Sequence, residues 1–162
     1  LFHHSSLILK ISAVAFSGCK KLHNIKLPKN LKFLGDSSFD NTAIERVEIS
    51  DVEYILEGTF SGCKNLKEVV LDDNIKEICF LAFSGCEKLE TVKLPKNLEK
   101  IEFKAFMDCK SLTNITIPKN VKEIQYDAFA NCLNLEKVAV PASVKIGKDC
   151  FKNCPMGQLS EE

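Results

Sequence analysis

Apolar residues recur along this chain with a long period. Seven phenylalanines, Phe16, Phe39, Phe60, Phe83, Phe106, Phe129 and Phe151, follow one another at steps of 23, 21, 23, 23, 23 and 22 residues. Aligning the stretches on these residues brings out further columns. A small residue precedes each Phe (Ala15, Ser38, Thr59, Ala82, Ala105, Ala128, Cys150), and an aliphatic residue lies five positions before it (Ile11, Leu34, Ile55, Ile78, Ile101, Ile124, Ile146). After the Phe come Leu22, Ile44, Leu66, Leu89, Leu112 and Leu135, and then apolar pairs two apart: Ile25/Leu27, Val47/Ile49, Val69/Leu71, Val92/Leu94, Ile115/Ile117 and Val138/Val140. Self-similarity at this period is the signature of a solenoid. One unit cannot bury its columns alone, whereas stacked units bury them against each other.

The pairs predict one short strand per unit, with one face in the core and the other in solvent. Pro28, Pro95, Pro118 and Pro141 follow directly and end the strand, because proline has no N–H to continue a ladder. Each unit then consists of a strand, a turn, an extended return segment and a compact turn around the Phe. Stacked units align their strands into one parallel sheet. The second unit is two residues short, losing one residue in the Phe turn and one after Ile49, which predicts a local flattening without a domain boundary. The expected organisation is a single domain over residues 1–155 of about six to seven repeats, followed by a C-terminal tail at 156–162.

A full unit reads LPKNLEKIEFKAFMDCKSLTNIT from Leu94 to Thr116, and the next reads IPKNVKEIQYDAFANCLNLEKVA from Ile117. These stretches resemble the short leucine-rich repeats of the BspA-like class, of the form LPxxVxxIxxxAFxxCxxLxxVx, over roughly Ile8 to Cys154. The resemblance implies a right-handed leucine-rich-repeat solenoid with the parallel sheet on its concave face and short turns or 3-10 segments elsewhere. It also implies a surface or secreted protein of a bacterium or protist, engaged in adhesion to host proteins or other cells. It supplies no catalytic residues and no fixed binding positions.

Composition narrows the function classes. The apolar fraction is 45% and the charged fraction 27%, as in soluble folded proteins. Lysine plus arginine and aspartate plus glutamate stand at 22 each, so there is no basic excess to drive nucleic-acid binding. No apolar run approaches the roughly 20 residues of a membrane span. The start at Leu1, without a leader, reads as a piece of a longer protein whose address lies elsewhere.

Eight cysteines raise the question of a disulfide scaffold. Six of them share one column, three residues after the Phe: Cys19, Cys63, Cys86, Cys109, Cys132 and Cys154, with Thr42 in the short unit's place. The favoured reading is buried thiols that fill space and offer a weak S–H donor. Disulfides between rungs and a metal site are the alternatives. Side chains of one column point the same way, where a disulfide needs converging Cβ atoms. Zinc sites use close pairs. No phosphate-binding loop, nucleophile elbow or zinc-protease motif occurs, His3 and His4 fall in the ragged start, and no enzyme, cofactor or metal is expected.

Two surfaces are candidates for a partner. Lys26, Glu48, Val70, Lys93, Thr116 and Ala139 sit on the outward face of the strands, mixed in charge and without aromatics. That strip amounts to about 350 Å² from strand spacing, against about 800 Å² per partner in a stable interface. Phe80, Phe103 and Tyr126 lie three residues before the Phe in three consecutive units, and Phe33 and Tyr54 lie six before it in the two units preceding those. They form either a packed spine or a contact ridge of the aromatic kind that anchors interfaces. The leading function is a non-catalytic module that binds a protein or glycan of a host or neighbouring cell, at the cell surface or secreted. The alternative is a stiff spacer presenting another domain. Uncapped ends add the expectation of weak self-association.

Overall fold

The structure, a computed structural model, describes residues 9–156 and 158–160. It is a parallel β-solenoid of about six turns, and the described residues contain no helix. The Phe column forms its axis. Phe39, Phe60, Phe83, Phe106 and Phe129 are fully buried, and all seven rings stack in sequence, with centroids 5.1–5.6 Å apart. The aliphatic columns close around them, and the small column before the Phe keeps each turn close to its neighbour. Ala82, Ala105 and Ala128 are wholly inaccessible. The exceptions are at the ends, where Phe16 is 36% and Ile146 43% exposed, because each meets a neighbouring rung on one side.

The strands expected from the apolar pairs are present as Arg46–Ile49, Glu68–Leu71, Thr91–Val92, Asn114–Thr116 and Lys137–Ala139. They alternate exposed and buried residues as a half-buried strand must. The expected single sheet is, however, divided into two three-stranded sheets, because Thr91–Val92 does not pair with Asn114–Thr116. The first unit contributes only an isolated bridge, Asn24 to Arg46. Where the sequence reads as a tail, Gln158–Ser160 pairs in register with Lys137–Ala139 as a further parallel strand.

Return segments and turns are more ordered than the apolar pattern indicated. Two-residue strands, Tyr54–Ile55, Glu77–Ile78, Lys100–Ile101, Glu123–Ile124 and Lys145–Ile146, form a second parallel sheet, and Lys10–Ile11 pairs with Phe33–Leu34. Around the Phe a third ladder runs through the turns, with bonds such as Phe60 N–H to the Ala82 carbonyl (2.8 Å) and Phe106 N–H to that of Ala128 (2.8 Å). The residues two before and two after each Phe have positive φ, which turns the intervening N–H along the stack. After the Phe this column reads Gly18, Asn41, Gly62, Gly85, Asp108, Asn131, Asn153, the residue types that accept the left-handed region most readily. These turns, not 3-10 helix, close each coil.

The short unit leaves its mark on the return side. Between other neighbours two backbone bonds recur, for example Lys76 N–H to the Glu53 carbonyl and Cys79 N–H to that of Ile55. Among the described residues neither of the two joins the Phe33–Leu34 rung to the Tyr54–Ile55 rung. The core columns pass through intact, with Leu34, Val52 and Ile55 buried, so the flattening is confined to the outer ladder.

Candidate functional site

The residues read as the outward face of the front strands carry little chemistry. Glu48 lies 3.8 Å from Arg46, which in turn pairs with Glu68 at 3.0 Å, and all three side chains are more than half exposed. Such pairs contribute at most about 1 kcal/mol. Val70 is half-buried, and Lys26 and Lys93 lie outside any strand. Lys93 and Thr116 are the pair that the structure brings into a shared feature. They flank a cleft of about 460 Å³ opened where the front sheet divides.

On the return side, Phe80, Phe103 and Tyr126 are brought together. Phe80 and Phe103 stack with centroids 4.0 Å apart, and Phe103 and Tyr126 at 4.8 Å. The backbone beneath them is held by side chains of the next rung. Phe80 N–H donates to Glu102 Oε2 (2.9 Å) and Phe103 N–H to Gln125 Oε1 (3.0 Å). Glu102 is itself paired with Lys100 at 2.9 Å. Phe80 and Phe103 are half-buried in this stack, which makes them a packed spine. Tyr126 ends it and is 49% exposed. The same column continues at Lys148, and a cleft of about 460 Å³ lies among Tyr126, Lys145, Gly147 and Lys148.

A further indentation lies at the turn between front strands and return strands, and the apolar pattern did not reveal it. It is a groove of about 770 Å³ along the column seven residues before the Phe: Lys32, Glu53, Lys76, Glu99, Lys122. Charge alternates with each rung. Lys76 Nζ lies 3.0 Å from Glu53, and Lys122 pairs with Glu99. The Lys122 ammonium holds the Glu99 carboxyl below its usual range, and Lys96 does the same for Asp73 at the groove's rim. Asn97 Nδ2 donates to the Asp73 carbonyl and Asn120 Nδ2 to that of Lys96, so asparagines one rung apart brace the wall. The alternation is visible in the aligned sequence, and its period of two units is the signal that marks it.

The model of the BspA type leucine rich repeat region matches residues 2–78 and 49–157 in six copies. The chain belongs to this family. Crystal structures of leucine-rich repeat proteins from Eubacterium ventriosum and Bacteroides ovatus superpose on this BspA-type chain with TM-scores of 0.80 and 0.73, at 26% and 27% identity. They cover 94% and 90% of it, while the chain spans only 44% of each of theirs. The Treponema pallidum leucine-rich repeat protein matches with a TM-score of 0.57 at 29% identity, over 82% of this chain and 64% of its own. No curated protein sequence matches it.

The chemistry of the BspA-type repeat is concentrated in its thiols. Five of the six column cysteines donate their S–H to the Phe carbonyl of the preceding rung: Cys63 to Phe39 (3.0 Å), Cys86 to Phe60 (3.3 Å), Cys109 to Phe83 (3.3 Å), Cys132 to Phe106 (3.2 Å) and Cys154 to Phe129 (3.1 Å). Thr42 does the same work within the short unit, donating to its own Phe39 carbonyl at 2.9 Å. All eight cysteines are free. Burial raises Cys63, Cys86 and Cys109 and pushes Cys79 and Cys150 up to about 12. Cys154 is lowered instead by the neighbouring Cys132 thiol, which is itself raised. Among the described residues no three histidine, cysteine or carboxylate side chains gather to hold a metal ion. The thiolate is the nucleophile, so alkylation of the native protein at neutral pH should modify exposed Cys19 first and half-buried Cys154 next. Cys86 and Cys109 should stay unmodified until denaturation. Mass spectrometry of the modified peptides checks this order, and early labelling of Cys109 contradicts it.

Proposed function

We propose that the chain is a non-catalytic protein-binding module displayed at the cell surface or secreted, and that Tyr126 anchors its partner. One observation carries the reading: the exposed end of the aromatic stack lines a cleft of about 460 Å³ shared with Lys145, Gly147 and Lys148. Phe80 and Phe103 fix the position of that ring, which removes the ordering cost a mobile aromatic would add on binding. Lys145, Glu123 and Lys148 around it supply the polar rim that surrounds an interface anchor. Phe80, Phe103 and the front-face residues Lys26, Glu48, Val70, Lys93 and Thr116 support the footprint. Family membership supports display outside the cell, where repeats of this kind serve adhesion. A glycan on the Tyr126 ring is the second ligand class that the cleft would admit.

The test is a binding screen of the purified module against extracellular host proteins and glycans, repeated with Tyr126→Ser. The expected result is a protein partner whose affinity falls about tenfold or more in the variant, with the melting temperature nearly unchanged because the ring is at the surface. Binding that survives Tyr126→Ser, or turnover of any ligand, contradicts the reading.

A further inference from the structure

The charged groove is not used by the module proposed above, and it has an unusual opening at one end. It shares Lys32, Asp51 and Glu53 with a second cleft of about 370 Å³ that lies between Phe33 and Tyr54. This cleft sits where the short unit breaks the return ladder, so backbone groups on its two sides lack the two bonds that the other rungs exchange. Phe33 is 40% and Tyr54 42% exposed. Lys10 of the preceding rung lies over one face of Phe33, with Nζ 5.0 Å from the ring centroid, which leaves the other face toward Tyr54. The floor is sealed by Leu34 and Val52, both buried.

We infer that this cleft and groove together receive a proline-rich peptide in the polyproline II conformation. Three features fit that partner. Two rungs span about 9.6 Å, and the groove repeats its Glu–Lys pair at that interval, Glu53 with Lys76 and then Glu99 with Lys122. One turn of polyproline II is three residues and about 9.3 Å, so every third residue of the peptide meets the same surroundings. An extended β-strand repeats its side at about 6.7 Å and falls out of step. Next, polyproline II has no internal hydrogen bonds, so its carbonyls need donors, and the broken ladder leaves the Glu53 and Leu56 N–H groups, on either side of Tyr54, without the backbone carbonyls their counterparts meet on other rungs. Finally, flat aromatic walls are how such peptides are commonly gripped, and Phe33 and Tyr54 provide two on neighbouring rungs. The four steps from Lys32 to Lys122 make about 19 Å, room for two turns of the peptide.

The experiment is fluorescence anisotropy of the purified chain with a labelled proline-rich peptide, a glycine-serine peptide of equal length and charge, and a linear β-linked oligosaccharide. The proline-rich peptide should bind, the glycine-serine peptide should bind at least about tenfold more weakly, and Tyr54→Ala should lose about tenfold in affinity. Tyr126→Ser should leave peptide binding unchanged, which keeps this site separate from the partner site proposed above. A second variant restores the missing turn residue by inserting one lysine between Ser50 and Asp51. It should close the cleft and abolish peptide binding while the protein melts no lower. Equal binding of the two peptides, binding of the oligosaccharide alone, no binding of the proline-rich peptide, or full affinity in Tyr54→Ala or the insertion variant overturns the proposal.

Discussion

Phe106→Ala should destabilise the solenoid by about 3–5 kcal/mol, the range for truncating a buried aromatic. The size follows from the site. Phe106 has no accessible surface, and its ring is sandwiched between Phe83 at 5.3 Å and Phe129 at 5.1 Å. Removing it leaves both neighbours facing a void. Collapse cannot fill that void, because the turn is fixed by backbone bonds on both sides, from Phe83 N–H to Ala105 and from Phe106 N–H to Ala128. A solenoid also transmits the loss in a particular way. Each coil touches only its neighbours, so weakening the middle of the column uncouples the two halves. Urea unfolding should therefore show a lower midpoint and a shallower slope in Phe106→Ala, and Phe16→Ala, at the partly exposed end of the stack, should cost much less. Equal costs at the two positions would mean that the Phe column is not the axis of the fold.

The parts of this architecture that depend on burial were legible in the sequence. The Phe, aliphatic and small columns are each fixed by the need to remove apolar surface from water at about 25 cal/mol per Å², and residue type records that need directly. Backbone pairing is recorded less well. The return strands are two residues long, with patterns such as exposed Tyr54 before buried Ile55, too short for alternation to register. The left-handed column after the Phe was legible in principle, since Gly, Asn and Asp recur there without exception. The column before it includes Val14, Leu81 and Lys104 and conceals the same geometry.

The candidate sites divide along the same line. Tyr126 could be singled out because three aromatics shared one register, but only stacking distances show that Phe80 and Phe103 are packed while Tyr126 remains open. The groove was hidden for a different reason. Alternating Lys and Glu read along the chain as ordinary solvated surface, and they become a lined channel only when rungs lie about 4.8 Å apart. Likewise the missing residue after Ile49 announced a shorter turn, while its consequence, a ladder that fails to close beside Phe33 and Tyr54, depends on which backbone groups can reach across.

Gly147→Ala should lower stability by about 1–3 kcal/mol, the usual cost of inserting a methyl group where there is no room. The cause is not backbone freedom, since this glycine has an ordinary φ. A Cβ there would lie 2.4 Å from the Tyr126 nitrogen and 2.6 Å from the Gln125 carbonyl carbon, both main-chain atoms that cannot swing aside. Relief requires the last coils to separate. The pairing of Glu123–Ile124 with Lys145–Ile146 and the Gly147 N–H bond to Ile124 at 2.7 Å would be lost first. The rest of the stack would keep its own contacts. Hydrogen exchange should accordingly speed up around residues 124–151 in Gly147→Ala while amides of the 60–106 coils keep their protection. The same separation would tilt Tyr126 away from its cleft, so the variant should also weaken any partner held by that ring. If Gly147→Ala melts like the parent protein, the close approach of the last two coils is not a feature of the folded chain.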